Sequence, residues 1–165
     1  MILGMTTLVF VHVLISLVGI LSGFVVAYGL LGAKRLDGWT AVFLATTVAT
    51  SVTGFLLPAD RFLPSHGVGI VSLLVLPIAI FAFYGRRLAR PWRWIYVVTA
   101  MTALYLNVFV LVVQLFLKVP AVNALDPTQS GPPFLTAQSA VLALFVVVTV
   151  VAAKRFRIGK HRLAQ

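Results

Sequence analysis

The stretch from Phe10 to Ala27, FVHVLISLVGILSGFVVA, decides the fold. Within it His12, Ser16, Gly19, Gly23 and Ala27 recur at steps of 4, 3, 4 and 4 residues, which is the spacing of one face of an α-helix. The rest of the stretch is largely Leu, Val, Ile and Phe, so the helix is an apolar cylinder with a single polar and small-residue stripe. Such a stripe faces protein. A histidine in hydrocarbon needs a hydrogen-bond partner, a ligand or a polar cavity, and glycines let another backbone or a flat cofactor approach closely.

Composition extends this reading to the whole chain. Hydrophobic residues make up 61% and charged residues 10% of 165 residues, with a mean hydropathy of +1.10; soluble domains carry about 25% charge. The expected fold class is an all-α integral membrane protein with about five spans of ~20 residues. Residues 1–153 are expected to form a single transmembrane bundle and residues 154–165 a basic cytoplasmic tail. The chain has no cysteine, which removes disulfides, thiolate metal sites and Cys nucleophiles.

The apolar runs are Met5 to Leu31, Trp39 to Leu57, His66 to Tyr84, Trp94 to Leu117 and Phe134 to Ala153. The first is too long for the core of a secretory signal and lacks a basic segment before it, so it reads as a retained helix. Ser65 is expected to cap the third helix, and Pro77 to kink it. Thr46, Thr50 and Thr53 share one stripe of the second run, where hydroxyls bond back to their own helix carbonyls. The residues from Val119 to Pro133 form the one long connection, with Pro120, Pro127, Pro132 and Pro133 expected to stiffen it into a compact lid. Val122, Leu125 and Phe134 are expected to dock on the bundle, and Asp126 or Asp60 to pair with Arg61 or Lys118.

Eleven of the thirteen Lys and Arg residues fall in the connections at 34–35 and 86–93 or after position 153, against Arg61 and Lys118 on the other side. The positive-inside rule then places the N-terminus outside and the C-terminus in the cytoplasm. The net charge of +10 is thereby a topology signal, with attraction to anionic lipid headgroups of the bilayer and no implication of nucleic-acid binding. Trp39, Trp92, Trp94, Tyr84 and Tyr96 are expected at the cytoplasmic boundary as an aromatic belt.

Depth counted from that boundary gathers the polar residues. His12 is 19 residues from Leu31, His66 is 18 from Tyr84, and Gln114 is 20 from Trp94, which at ~1.5 Å per residue is nearly one height. Gln138 and Thr53 join from slightly deeper, and Asn107 shares a helix face with Gln114. The expectation is a polar pocket in the outer half of a four-helix up-down core made by the first four helices, with the fifth packed on its side. Gly19 and Gly23 are expected where helix one meets a neighbour, and Gly29 and Gly32 to tolerate substitution better.

Histidines on helices one and three lie diagonally in such a bundle, and the chain here resembles four-helix b-type membrane cytochromes. That resemblance implies a single b-type haem, electron transfer, His12 and His66 as axial ligands, Gly19 and Gly23 below His12 and Gly67 and Gly69 beside His66 giving the macrocycle room, and Arg61 meeting a propionate. Nearly the whole chain, in particular TTVATSVTGFLLP, PSHGVGI, ALYLNVFVLVVQ and DPTQSGPPF, also resembles small bacterial five-helix inner-membrane proteins, which implies a bacterial cytoplasmic membrane and no particular chemistry. Two other readings stand beside haem. One is a carrier of a quinone or other amphiphile held by His12, Gln114, Asn107, Gln138 and Thr53. The other is an accessory subunit in a homo- or hetero-oligomer, whose polar stripes are interhelical hydrogen bonds alone. No acidic residue lies in a span to act as a base, and no nucleophile has a base beside it, so the sequence points away from an enzyme.

Overall fold

The computed structural model describes residues 6–57 and 64–158. Asp60, Arg61 and the residues after 158 lie outside them, and so do the roles expected of these residues. The described residues form helices and connections only, and five of the helices are long and apolar enough to cross a membrane. α1 spans Thr7–Leu31, α2 Asp37–Leu56, α3 Pro64–Ile80, α4 Trp92–Lys118, the short α5 Pro120–Asn123 and α6 Pro132–Ile158.

Local chemistry sets the helix ends. Thr6 caps α1, its hydroxyl oxygen accepting from the Val9 amide at 3.4 Å. Asp37 opens α2, where a carboxylate complements the helix dipole, and it is ion-paired with Arg35. Ser65 is not the cap of α3: the helix already begins at Pro64, since proline at the first turn has no N–H to leave unsatisfied. Pro77 lies inside α3, and past it the ladder widens into a π-helical turn, Phe81–Gly85. Gly85 is required there, because a Cβ would meet the Phe81 ring at 2.7 Å. The connection that follows puts Arg87, Leu88 and Arg90 at positive φ, an uncommon conformation for side-chain-bearing residues. Buried Leu88 and a bond from Arg93 Nε to the Leu88 carbonyl at 3.1 Å hold it.

Pairings between helices give their directions. From the α1 N-terminus, His12 meets Thr53, a Cβ on Gly19 would meet Thr46, and one on Gly29 would meet Leu36. Numbers rise on one helix as they fall on the other, so α1 and α2 are antiparallel. Phe55 on His66 and Phe83 on Tyr96 continue the alternation through α3 and α4. α1 packs on α2, α2 on α3, α3 on α4, and α4 closes on α1, leaving α1 and α3 diagonal. α6 lies against α4 and α1, through Phe145 on Tyr105 at 5.7 Å and on Phe24 at 6.5 Å. Its other faces expose Leu144, Val146 and Val147. The side position foreseen for the last helix is thus observed.

The tightest core lies at the end of the bundle away from the α1 N-terminus, built on Phe43, Leu76, Phe83, Tyr96 and Leu104. Tyr96 does not belong to an aromatic belt. It is 1% exposed and its hydroxyl pairs with Thr40 Oγ1 at 3.2 Å, because position 96 falls on the face of α4 turned towards α2 and α3. Trp39, Tyr84 and Trp94 are exposed at this end, whereas Trp92 is half-buried, edge-on to Phe81 at 5.2 Å.

Gly23 is a close-approach position: a Cβ would lie 2.5 Å from Leu104 Cδ1 and 2.9 Å from the Phe43 ring. Gly32 has room, but Gly29 does not, since its Cβ would meet Leu36 Cδ1 at 2.6 Å. The turn into α2 folds Leu36 back onto α1, which the spacing of glycines in α1 does not encode.

The long connection is ordered around one acid. Asp126 is buried, accepting from the Gly131 amide at 2.7 Å and from Thr128 Oγ1 at 3.1 Å. It pairs with neither Lys118 nor any other described cation, because its own loop supplies the donors. Burial pushes this carboxyl up, but the backbone N–H groups of Gly131, Phe134 and Ser130 and the Thr128 hydroxyl outweigh it, so the group sits below the ordinary carboxylate range. Phe134 docks edge-on to Phe116 at 5.3 Å, as foreseen, while Leu125 is 64% exposed and does not dock.

Candidate functional site

At the end of the bundle that carries the α1 N-terminus, the four core helices diverge around a cavity of about 380 Å³. Drug-sized ligand sites begin at roughly 300 Å³. Its wall on α1 runs from Val9 to Ile20, roughly 16 Å at ~1.5 Å per residue. The alternating helix directions order its polar groups by depth. His66 and Lys118 stand near the mouth, His12 and Gln114 midway, and Ser16, Ser51, Ser72 and Asn107 towards the floor.

His12 and His66 therefore line one cavity from diagonal helices, and Gln114 and Asn107 line it with them. His12 Nδ1 is 2.8 Å from Thr53 Oγ1. The Thr53 hydroxyl gives its own hydrogen to the Ala49 carbonyl at 2.7 Å, so at His12 it accepts. In the neutral ring the one N–H is then on Nδ1, and Nε2 carries a lone pair. His66 stacks on Phe55, ring centroids 5.7 Å apart and planes within 18°.

The other expected site residues are placed elsewhere. Thr53 is not in the wall but behind it, holding His12. Gln138 is buried between α6 and α4, where its Nε2 donates to the Phe109 carbonyl at 3.1 Å, away from the cavity. It sits one helix layer out from the diverging core. Gly19 and Gly23 do not line the cavity either. A Cβ on Gly19 would meet Thr46 Oγ1 at 3.2 Å, and Gly23 is filled by Leu104 and Phe43. Of the long connection only Val119 reaches the wall, so the compact loop stands beside the mouth rather than over it.

These placements test the room for a macrocycle. The space beside α1 that the two glycines were expected to free is occupied by α2 and α4 side chains, and Gly69, beside His66, is filled by the Phe55 ring at 3.1 Å. The two histidines remain, with His12 Nε2 in a suitable tautomer for a ligand, and the room is filled at Gly19, Gly23 and Gly69 but open at Gly67, where a Cβ would meet nothing within 4 Å.

Sequence reasoning missed Lys118, Thr50 and Ser51 as wall residues. Lys118 was legible: it follows Gln114 by four positions and Asn107 by eleven, on one face of α4. Thr50 Oγ1 and Gln114 Oε1 are buried in this wall with no hydrogen-bond partner. Such atoms cost about 1–3 kcal/mol when left unpaired. Compared with protein-family models, curated proteins and solved structures, the chain matches none of them.

Proposed function

We propose that this chain is a multi-pass protein of the bacterial cytoplasmic membrane whose outward-facing cavity binds an amphiphile with a polar head, of the quinone class in size, as a carrier or binding protein. The observation that carries the reading is the cavity itself, in which His12, Asn107, Gln114 and Lys118 stand in an otherwise largely apolar wall. A polar head satisfies them, and an apolar tail fits the Val, Leu and Ile that line the remainder. Nothing in this reading calls for bond chemistry. Among the described residues the wall contains no carboxylate to serve as a general base.

The charge asymmetry of the connections supports an outside N-terminus and a cytoplasmic C-terminus. A reporter fused after Gln165 is expected to read as cytoplasmic. The ligand assignment is tested by solvent extraction of the purified protein and mass spectrometry of the extract. The expected result is one class of long-chain amphiphile at about one molecule per chain, lost in His12→Phe. A visible absorption spectrum of the same sample is expected to lack the haem Soret band. If that band appears and vanishes in His12→Phe, the b-type cytochrome reading replaces this one; an empty, colourless and folded protein leaves the accessory-subunit reading.

A further inference from the structure

A groove of about 450 Å³ lies on the outer surface of α3 and its π-helical turn, running from Leu73 to Gly85 with Val48 of α2 as its other bank. Both irregularities of this helix, Pro77 and the π-helical turn, are in its wall. The run from Leu73 to Gly85 covers roughly 18 Å at ~1.5 Å per residue, about the depth of one leaflet of a hydrocarbon core ~30 Å thick. The wall is apolar apart from the Tyr84 hydroxyl.

A guanidinium stands at the Gly85 end. Arg86 follows Gly85 directly, and its Cζ is 5.4 Å from the centroid of the Trp92 ring. Trp92 is in turn edge-on to Phe81 of the groove wall at 5.2 Å, so two aromatic contacts tie this charge to the groove instead of leaving it on a free stem. It has no carboxylate to neutralise it among the described residues. Their two acids are Asp37, paired with Arg35, and Asp126, held by its own loop. Arg87 and Arg90, both exposed, add positive charge from the same connection.

From an apolar groove of leaflet depth that ends at an unneutralised guanidinium, we infer that this face seats one phospholipid of net negative charge. One acyl chain lies along the groove between α2 and α3, and the phosphate pairs with Arg86. Basic residues at a bilayer surface attract anionic lipid diffusely; chain and headgroup held together at a fixed spacing make a single stoichiometric site of it. The site is at the opposite end of the bundle from the His12 cavity and does not depend on what that cavity binds.

The test is native mass spectrometry of the full chain released from detergent micelles, titrated with palmitoyl-oleoyl phosphatidylglycerol and with the phosphatidylcholine of the same chains. The anionic lipid is expected to bind at one per chain and about tenfold more tightly, the equivalent of one charge-assisted hydrogen bond. Arg86→Gln is expected to bring the two lipids within about twofold, and Val48→Phe, which fills the groove, to weaken the anionic lipid about tenfold. The preference is expected to persist in Arg155→Gln, an equal charge change on α6, and in His12→Phe. Circular dichroism and gel filtration show which variants fold, and either Arg86→Gln or Val48→Phe suffices alone. Equal binding of the two lipids to the wild type overturns the inference, as does a preference unchanged in Arg86→Gln or undiminished binding in Val48→Phe. An equal loss in Arg155→Gln marks diffuse charge, and a loss in His12→Phe puts the lipid in the other cavity; each overturns it too. A dimer that Val48→Phe dissociates gives the groove to a second copy of the chain instead.

Discussion

Thr53 on α2 accepts a hydrogen bond from the His12 ring of α1 at 2.8 Å, across 41 positions of chain. This bond fixes both the orientation of the ring and the nitrogen that carries its hydrogen. Thr53→Val keeps the β-branched shape and removes the acceptor. The expected cost is about 0.6–2 kcal/mol of stability, the range for interhelical hydrogen bonds in membranes, read by unfolding in mixed micelles. Thr53→Ser is expected to recover most of it. Equal losses in the two variants would mean that the threonine methyl, not the hydroxyl, is what matters.

The glycines of α1 divide by what would meet a side chain. Gly23→Leu drives a side chain into Leu104 and Phe43, and overpacking of this kind costs typically about 1–3 kcal/mol. Gly32→Ala, with nothing closer than 3.5 Å, is expected to be neutral, and Gly29→Ala to fall between them because the tip of Leu36 can swing aside. Thermal unfolding of the three purified proteins checks the order.

Gln138→Leu is expected to be neutral or slightly stabilising. Its Nε2 bond to the Phe109 carbonyl is offset by a buried Oε1 with no partner, and replacing such a half-satisfied group with an apolar one of similar size removes that cost. A loss of more than about 2 kcal/mol would show that this bond is what holds α6 to α4.

Asp126 predicts an acid-sensitive loop. Its carboxyl is held below the ordinary range, so its contribution to stability is complete above the unfolded value, about 3.9, and is lost as pH falls through the lower folded value. Cleavage between Ala121 and Gly131 by an acid-active protease is expected to rise steeply below about pH 4 in the wild type, relative to an unstructured reference peptide. In Asp126→Asn it is expected to be high already at the upper end of the protease's working pH range and to change little below it. A wild-type loop that is cleaved equally at all pH values would refute this role for the carboxylate.

The fold was legible because its signal is repeated: five apolar runs of membrane length with charge at their ends, and a polar stripe in the first, second and fourth of them. The cavity was legible to the extent that it depends on depth: a residue count along straight helices gathers His12, His66 and Gln114 at one end of the bundle, although His66, against Phe55, stands nearer the mouth than His12, against Thr53. Partner choice was not. A glycine at a helix interface announces close approach without saying whether Thr46, Phe43 or a cofactor will approach, and for Gly19 and Gly23 it proved to be side chains. Gln138 has the chemistry of a site residue but belongs to a helix one layer out, a fact set by packing of α6 and absent from its own sequence. Asp126 failed as an ion-pair candidate because donors within five residues, on its own loop, are closer than any cation.

Every described residue in the wall of the cavity precedes position 120, and α6 supplies none of them. Synthesis runs from the N-terminus, so the ribosome has made all the described wall residues before the last long helix exists. The four-helix ring can close, and its binding chamber can assemble, while α6 is still being translated. α6 then arrives as an outer buttress on α1 and α4, with Arg155 reaching the last carbonyl of α1 at 3.5 Å. The chamber in this arrangement does not wait for the final helix, whose part is to brace the finished bundle.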